Sequence, residues 1–213
     1  MQLKMWNAAA MAVSFVAVQA ASAGFVFQTA SRGVSVSTMG SVADSDSTNL
    51  FDAWFGSAST SGMGYSALAT QGSNLSYNEM VFVGAAQLSA SMPSMLGASS
   101  TAEVVFTADA NESIAWIVGL GESFGAQGVS VASVVVTDLT TGTVRLAMSS
   151  DAAGSGSFDV IAGRQYRVEV TASATAQGTG DYFANYNIGF TSIPQPGAIA
   201  LLGLAGLVVR RRR

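Results

Sequence analysis

The stretch QYRVEVTA (165–172) decides the fold class. Tyr166, Val168, Val170 and Ala172 fall on one side of it, and Arg167, Glu169 and Thr171 on the other. A period of two belongs to an extended strand with one dry and one wet face, because successive side chains of a pleated strand point in opposite directions. The segment YFANYNIGF (182–190) repeats the pattern: Tyr182, Ala184, Tyr186, Ile188 and Phe190 alternate with Phe183, Asn185, Asn187 and Gly189. Val34 and Val36 alternate with serines in the same way.

Working outward, VSVASVVVT (129–137) and TVRLAM (143–148) are rich in the residues that suit a pleated surface, and DLTTG (138–142) joins them as a glycine-containing hairpin loop. Ala162-Gly163 is expected to turn a strand at 158–161 into the one that starts at Gln165. EVVFT (103–107) and SIAWIVGL (113–120) are expected to pair across the polar turn at 109–112. Further strands are expected at 24–29, 63–69 and 79–88, which makes about nine short strands separated by Gly, Ser, Asn and Asp. The reading is all-β: a single antiparallel β-sandwich, jelly-roll-like, spanning residues 24–192. The Ser/Thr/Gly tracts 56–64 and 149–157 read as loops, and a short helix has room within 41–55 or 89–99.

Both ends of the chain depart from this pattern. Lys4 precedes the apolar run WNAAAMAVSFVAV (6–18), and Ala21-Ser22-Ala23 is a small-x-small cleavage site, the arrangement of a secretory signal peptide over residues 1–23. Thirteen residues of helix reach about 20 Å, short of a hydrocarbon layer of roughly 30 Å, which argues against a spanning anchor. The mature chain is then expected to begin at Gly24. At the other end, Pro194-Gln195-Pro196 precedes GAIALLGLAGLVV (197–209), which has no polar side chain, and Arg210, Arg211, Arg212 and Arg213 close the chain. That apolar helix is equally short, and Gly203 and Gly206 weaken it further. Arginines beside such a run favour the cytoplasmic side and leave the rest of the chain outside.

Residues 193–213 resemble the PEP-CTERM sorting signal, with Pro194 and Pro196 at its two prolines and Gln195 where glutamate is usual. The resemblance implies recognition and removal of the tail by an exosortase-type enzyme in the membrane, near the proline motif. It also implies a bacterium that makes exopolysaccharide and biofilm. Implied partners are the secretion translocon, signal peptidase, the sorting enzyme, the membrane through the tail before processing, and extracellular polysaccharide.

Composition narrows the chemistry. The chain is 49% hydrophobic but only 10% charged, with no cysteine and no histidine. Cysteine zinc sites, histidine ligands and Ser-His or Cys-His catalytic pairs are therefore excluded. Without the two end segments, Arg32, Arg145, Arg164 and Arg167 face all 13 acids, and the formal charge moves from −4 to −9. Such a surface repels phosphate backbones, so no nucleic-acid partner is expected.

The remaining candidates are local. Asp44-Ser-Asp46-Ser-Thr48 opens like a calcium loop, but Asn49 stands where the turn glycine belongs and Phe55 where the bidentate glutamate belongs. Asp109, Asn111 and Glu112 form a second oxygen-rich turn. No cofactor is expected, with loop calcium left as the open alternative. No carboxylate pair stands out as glycosidase machinery. Trp54, Trp116 and tyrosines 65, 77, 166, 182 and 186 offer sugar-stacking surfaces, although Trp116, Tyr166, Tyr182 and Tyr186 sit at core-facing positions of their strands; Trp54 is the least constrained. The sequence thus points to an exported surface or matrix structural protein without catalysis, with a secreted carbohydrate-binding β-sandwich module as the alternative.

Overall fold

The computed structural model describes residues 24–49, 51–123, 125 and 127–194. These form twelve strands and no helix among the described residues: β1 (Phe25–Thr38), β2 (Ser41–Thr48), β3 (Trp54–Gly62), β4 (Tyr65–Ser76), β5 (Glu79–Ala90), β6 (Leu96–Ala108), β7 (Glu112–Ser123), β8 (Gly128–Asp138), β9 (Thr143–Ser149), β10 (Ala153–Val160), β11 (Gln165–Ala176) and β12 (Gly180–Pro194). One six-stranded antiparallel sheet has the order β2-β1-β6-β11-β8-β9, and the other β10-β7-β12-β5-β4-β3.

The two sheets share one core, built from alternate residues of each strand. Val34 and Val36, Val104 and Phe106, Val134 and Val136, and Tyr166, Val168 and Val170 line the first sheet's inner face. Met80 and Phe82, Ile114 and Val118, and Tyr182, Tyr186, Ile188 and Phe190 line the second. The core changes character along its length. Phe25, Phe106 and Tyr166 pack ring against ring at one end, with centroids 4.9 and 5.5 Å apart. Toward the other end the first sheet offers Ala98, Ala172, Ala174 and Ala176, and Tyr182 and Tyr186 of β12 supply the bulk. Large against small is how facing layers reach close-packed density without voids. Each large side chain so buried contributes roughly 1.5–3 kcal/mol.

Several expectations change. The strands are more numerous and longer than anticipated, and 24–29 merges with the Val34–Val36 region into β1, with a bulge between Phe27 and Thr29. The tracts 56–64 and 149–157 are largely β3 and β10, not loops. Both are edge strands of the second sheet, where small polar residues suffice because one side of the ladder is open to water. Among the described residues no helix lies at 41–55 or 89–99: β2 occupies 41–48, and 89–99 holds the end of β5, a bend and the start of β6. The 129–137 and 143–148 strands do form a hairpin, with Asp138 opposite Thr143 and Gly142 at φ 69° in its loop. Ala162-Gly163, by contrast, carries the chain from β10 in one sheet to β11 in the other, and 109–111 likewise links β6 to β7 across sheets. Alternating patterns specify which face of a strand is dry, not which neighbour it pairs with. The hairpins β1–β2, β3–β4, β4–β5 and β8–β9 keep successive strands within a sheet, and every other connection passes from one sheet to the other.

The body has two distinct poles. One gathers the turns at 77–78, 109–111, 139–142 and 161–164, tied by Gly163 N to Ala108 O (2.8 Å), Leu139 N to Gln165 O (2.9 Å), and Ala162 N to Asn111 Oδ1 (2.9 Å). The opposite pole gathers 39–40, 63–64 and 91–95, tied by Met39 N to Met95 O (2.9 Å) and Ser91 N to Gly64 O (2.8 Å). Met39, Met63, Met92 and Met95 are all exposed there.

Candidate functional site

Gly24 and Pro194 bound the described body, and both lie at the first pole, on either side of the 109–112 turn. Phe25 pairs with Ala108 at the start of β1, and Pro194 pairs with Glu112 at the end of β12. Gly24 is buried, and its nitrogen donates to Asp109 Oδ1 at 2.8 Å. The Tyr77 hydroxyl donates to Asp109 Oδ2. Phe25 N donates to Tyr77 O at 2.6 Å, and Asp109 N to Gly24 O at 3.4 Å. A Cβ placed on Gly24 would stand 2.5 Å from both Tyr77 O and its ring, so this position admits no side chain. Three residues after Asp109, Glu112 is fully buried and accepts from Ser192 Oγ, while its Oε1 has no hydrogen-bond partner. Burial pushes the Glu112 carboxyl upward; the Ser192 bond opposes this and the neighbouring Asp109 charge adds to it.

The predicted processing residues otherwise fall beyond this region. Ala21 and Ala23 of the cleavage site, and Gln195, Pro196, Arg210, Arg211, Arg212 and Arg213 of the tail, lie outside the described residues, as do the expected signal helix and apolar C-terminal helix. Pro194 alone of the sorting motif is placed, as the last residue of β12.

A second polar centre closes the β8–β9 hairpin. Asp138 is buried; its Oδ1 accepts from the Thr140 and Thr141 amides at 3.0 and 3.1 Å, and its Oδ2 from Arg145 Nη2 at 3.0 Å and Arg164 Nη1 at 3.1 Å. Burial alone would raise the carboxyl, but the two guanidiniums and the Thr141 bonds outweigh it and hold the pKa at about 2. Asp138 ties the hairpin to the turn before β11. It is a structural clasp.

The calcium-like segment sits in a strand, not a loop. Asp44 of β2 accepts from Ser45 N and, across the gap between sheets, from Ser59 N of β3, both at 2.9 Å. Its carboxylate thus fills an open donor at the edge of the second sheet, a role that hides in the sequence behind the Asp-x-Asp spacing. Asp109, of the second oxygen-rich turn, is engaged by Gly24 and Tyr77, and Asn111 by Ala162.

The aromatic candidates divide as follows. Tyr166, Tyr182 and Tyr186 are buried as expected, with Tyr186 Oη 2.8 Å from Ser100 Oγ between the sheets; burial pushes the Tyr186 phenol up despite that bond. Trp54 is not a free platform: it packs on the core beside Gly56, with the Arg32 guanidinium 5.9 Å from its ring centre. Trp116 lies against Gly154 and Gly156 of the edge strand β10, filling the space their missing side chains leave. Arg32 itself is buried and bonds Asp52 O (2.9 Å) and Ser73 Oγ (2.8 Å), joining β1 to β4.

One surface went unnoticed in the sequence. On the outer face of the second sheet, a groove of about 650 Å³ crosses β3, β4, β5 and β12. Ser59, Ser61, Ser66, Gln87, Ser89 and Asp181 line it with hydroxyl, amide and carboxylate groups, and Leu68 and Phe183 supply apolar surface. These residues come from four strands, and only the sheet order brings them together. Set against known proteins, the chain matches no protein family and resembles no curated protein.

Proposed function

We propose that the chain is an exported bacterial surface or matrix protein, delivered through a cleavable signal peptide and released or fixed by an exosortase-type enzyme acting on the PEP-CTERM-like tail. The observation that carries this reading is the tail itself: Pro194-Gln195-Pro196, a 13-residue apolar run and four terminal arginines. The position of the junctions supports it. Gly24 and Pro194 both lie at one pole, outside or at the end of their strands, so neither excision cuts into any of the twelve described strands. Its architecture under this proposal is a sandwich, its role structural, and no catalysis is assigned to it. Intact-mass measurement of the protein from its native host tests the reading: the expected mass starts at Gly24 and lacks 197–213, and retention of 197–213 counts against sorting.

A second reading, a carbohydrate-binding module, is favoured by the groove on the second sheet. Phe183 and Leu68 offer a face for the apolar side of a sugar ring, among side chains that bond hydroxyls. A glycan array separates the two: selective binding lost in Phe183→Ala supports the module, and no selective binding supports a purely structural role.

A further inference from the structure

We infer that cutting the chain between Ala23 and Gly24 creates an α-ammonium that docks on the Asp109 carboxylate, so that the processed terminus becomes a structural part of the fold. The cut itself rests on the export reading above; the dock rests on geometry. In the cut, water adds across the Ala23–Gly24 peptide bond: Ala23 leaves with the new carboxylate, and the Gly24 nitrogen takes up protons to become –NH₃⁺. That nitrogen already lies 2.8 Å from Asp109 Oδ1. A hydrogen bond from a neutral amide to a carboxylate thereby becomes an ion pair in which both donor and acceptor carry charge.

The surroundings suit a cation. Tyr77 engages the other oxygen of Asp109 and orients the carboxylate. Glu112 adds a second acid to the same turn. The cation whose backbone meets this pole, Arg164, directs its guanidinium to Asp138. The pocket also explains the residue at the junction: the Tyr77 carbonyl and ring leave room for hydrogen only at position 24. A signal peptidase reads the small residues before the cut. The glycine after it answers to the fold.

The sequence provides a clean probe. Lys4 is the only lysine of the chain, and it leaves with the signal segment, so the mature protein holds one amine, that of Gly24. Full-length chain is expressed in an exporting host, and the product is weighed and then treated with an amine-acylating ester. The expected result is a mass beginning at Gly24 and acylation about tenfold slower than in Asp109→Asn. A second chain, with Gln-Thr inserted after Ala23, carries its amine beyond the carboxylate and is expected to acylate at the fast rate with Asp109 intact, which keeps the test meaningful if Asp109→Asn folds poorly. A Gly24 start with equal rates in wild type and insertion chain overturns the dock and leaves export standing. A mass beginning elsewhere overturns the cut, and the dock with it.

Discussion

Replacing Asp138 by Asn removes one charge and changes almost nothing else in shape. The Oδ1 position still accepts from the Thr140 and Thr141 amides. The Oδ2 position becomes an NH₂ group facing Arg145 Nη2 and Arg164 Nη1, which sit at 3.0 and 3.1 Å, so two donors meet a third donor. Hydrogen bonds to charged groups contribute about 1.5–3 kcal/mol each. Both arginines keep 28–31% of their side chains exposed and can turn to water, which brings the expected loss for the pair down to about 2–3 kcal/mol. For a domain of this size that is a fall in Tm of about 5–10 °C. The pH dependence identifies the cause. The folded carboxyl titrates at about 2, below its ordinary 3.8. A depressed acid contributes stability that is present in full above the unfolded value and is lost as pH falls through the folded one. Wild type and Asp138→Asn should therefore differ by a constant amount above pH 5 and converge between pH 4 and 2. Urea unfolding followed by tryptophan fluorescence, repeated across that range, reads the gap directly. A difference under about 0.5 kcal/mol at pH 7, or one that persists unchanged at pH 2, would refute the clasp.

Tyr186→Phe leaves Ser100 Oγ between the sheets without its phenol partner and is expected to cost about 1–2 kcal/mol, whereas Tyr186→Phe with Ser100→Ala should recover most of it, as a double-mutant cycle in urea would show. Glu112→Gln should stabilise the fold at neutral pH, because burial holds the carboxyl above its ordinary value and ionising it works against folding. Stability of the wild type falls as pH rises from 4.5 through that raised value, so the variant's advantage should vanish at pH 4.5 and below; thermal melts on both chains across that interval check the sign. The ammonium inferred at Gly24 would offset the Asp109 repulsion, but burial, the larger cause, remains.

What the chain made legible was local. Strands such as 165–172 and 182–190 were readable because each buries one face, and the alternation of Val and Tyr with Arg, Glu and Asn records that burial residue by residue. β10 (AGSGSFDV) and β3 (WFGSASTSG) gave no such record, since Trp116, Trp54 and Tyr65 cover their glycines and one edge of each faces solvent. β2 was masked by its aspartates, which serve an exposed edge while resembling a metal loop. Pairing was less legible still. Nothing in Ala162-Gly163 distinguishes a hairpin from a crossing between sheets; that choice is made by contacts far away in sequence, such as Gly163 N with Ala108 O. The groove residues and the Gly24–Asp109 contact, 85 positions apart, are invisible for the same reason.

The placement of Gly24 and Pro194 at one pole has a mechanical consequence. Strands β1 and β12 lie in different sheets, and β1 starts at the end where β12 finishes, so tension applied between those two residues would peel each strand from its neighbour one bond at a time. Tension between that end and the methionine-bearing tip, some 40 Å away by the length of a 14-residue strand, would instead load the ladders in parallel and along their length. A body held by its base is thus built to resist drag on its summit far better than wrenching at its root.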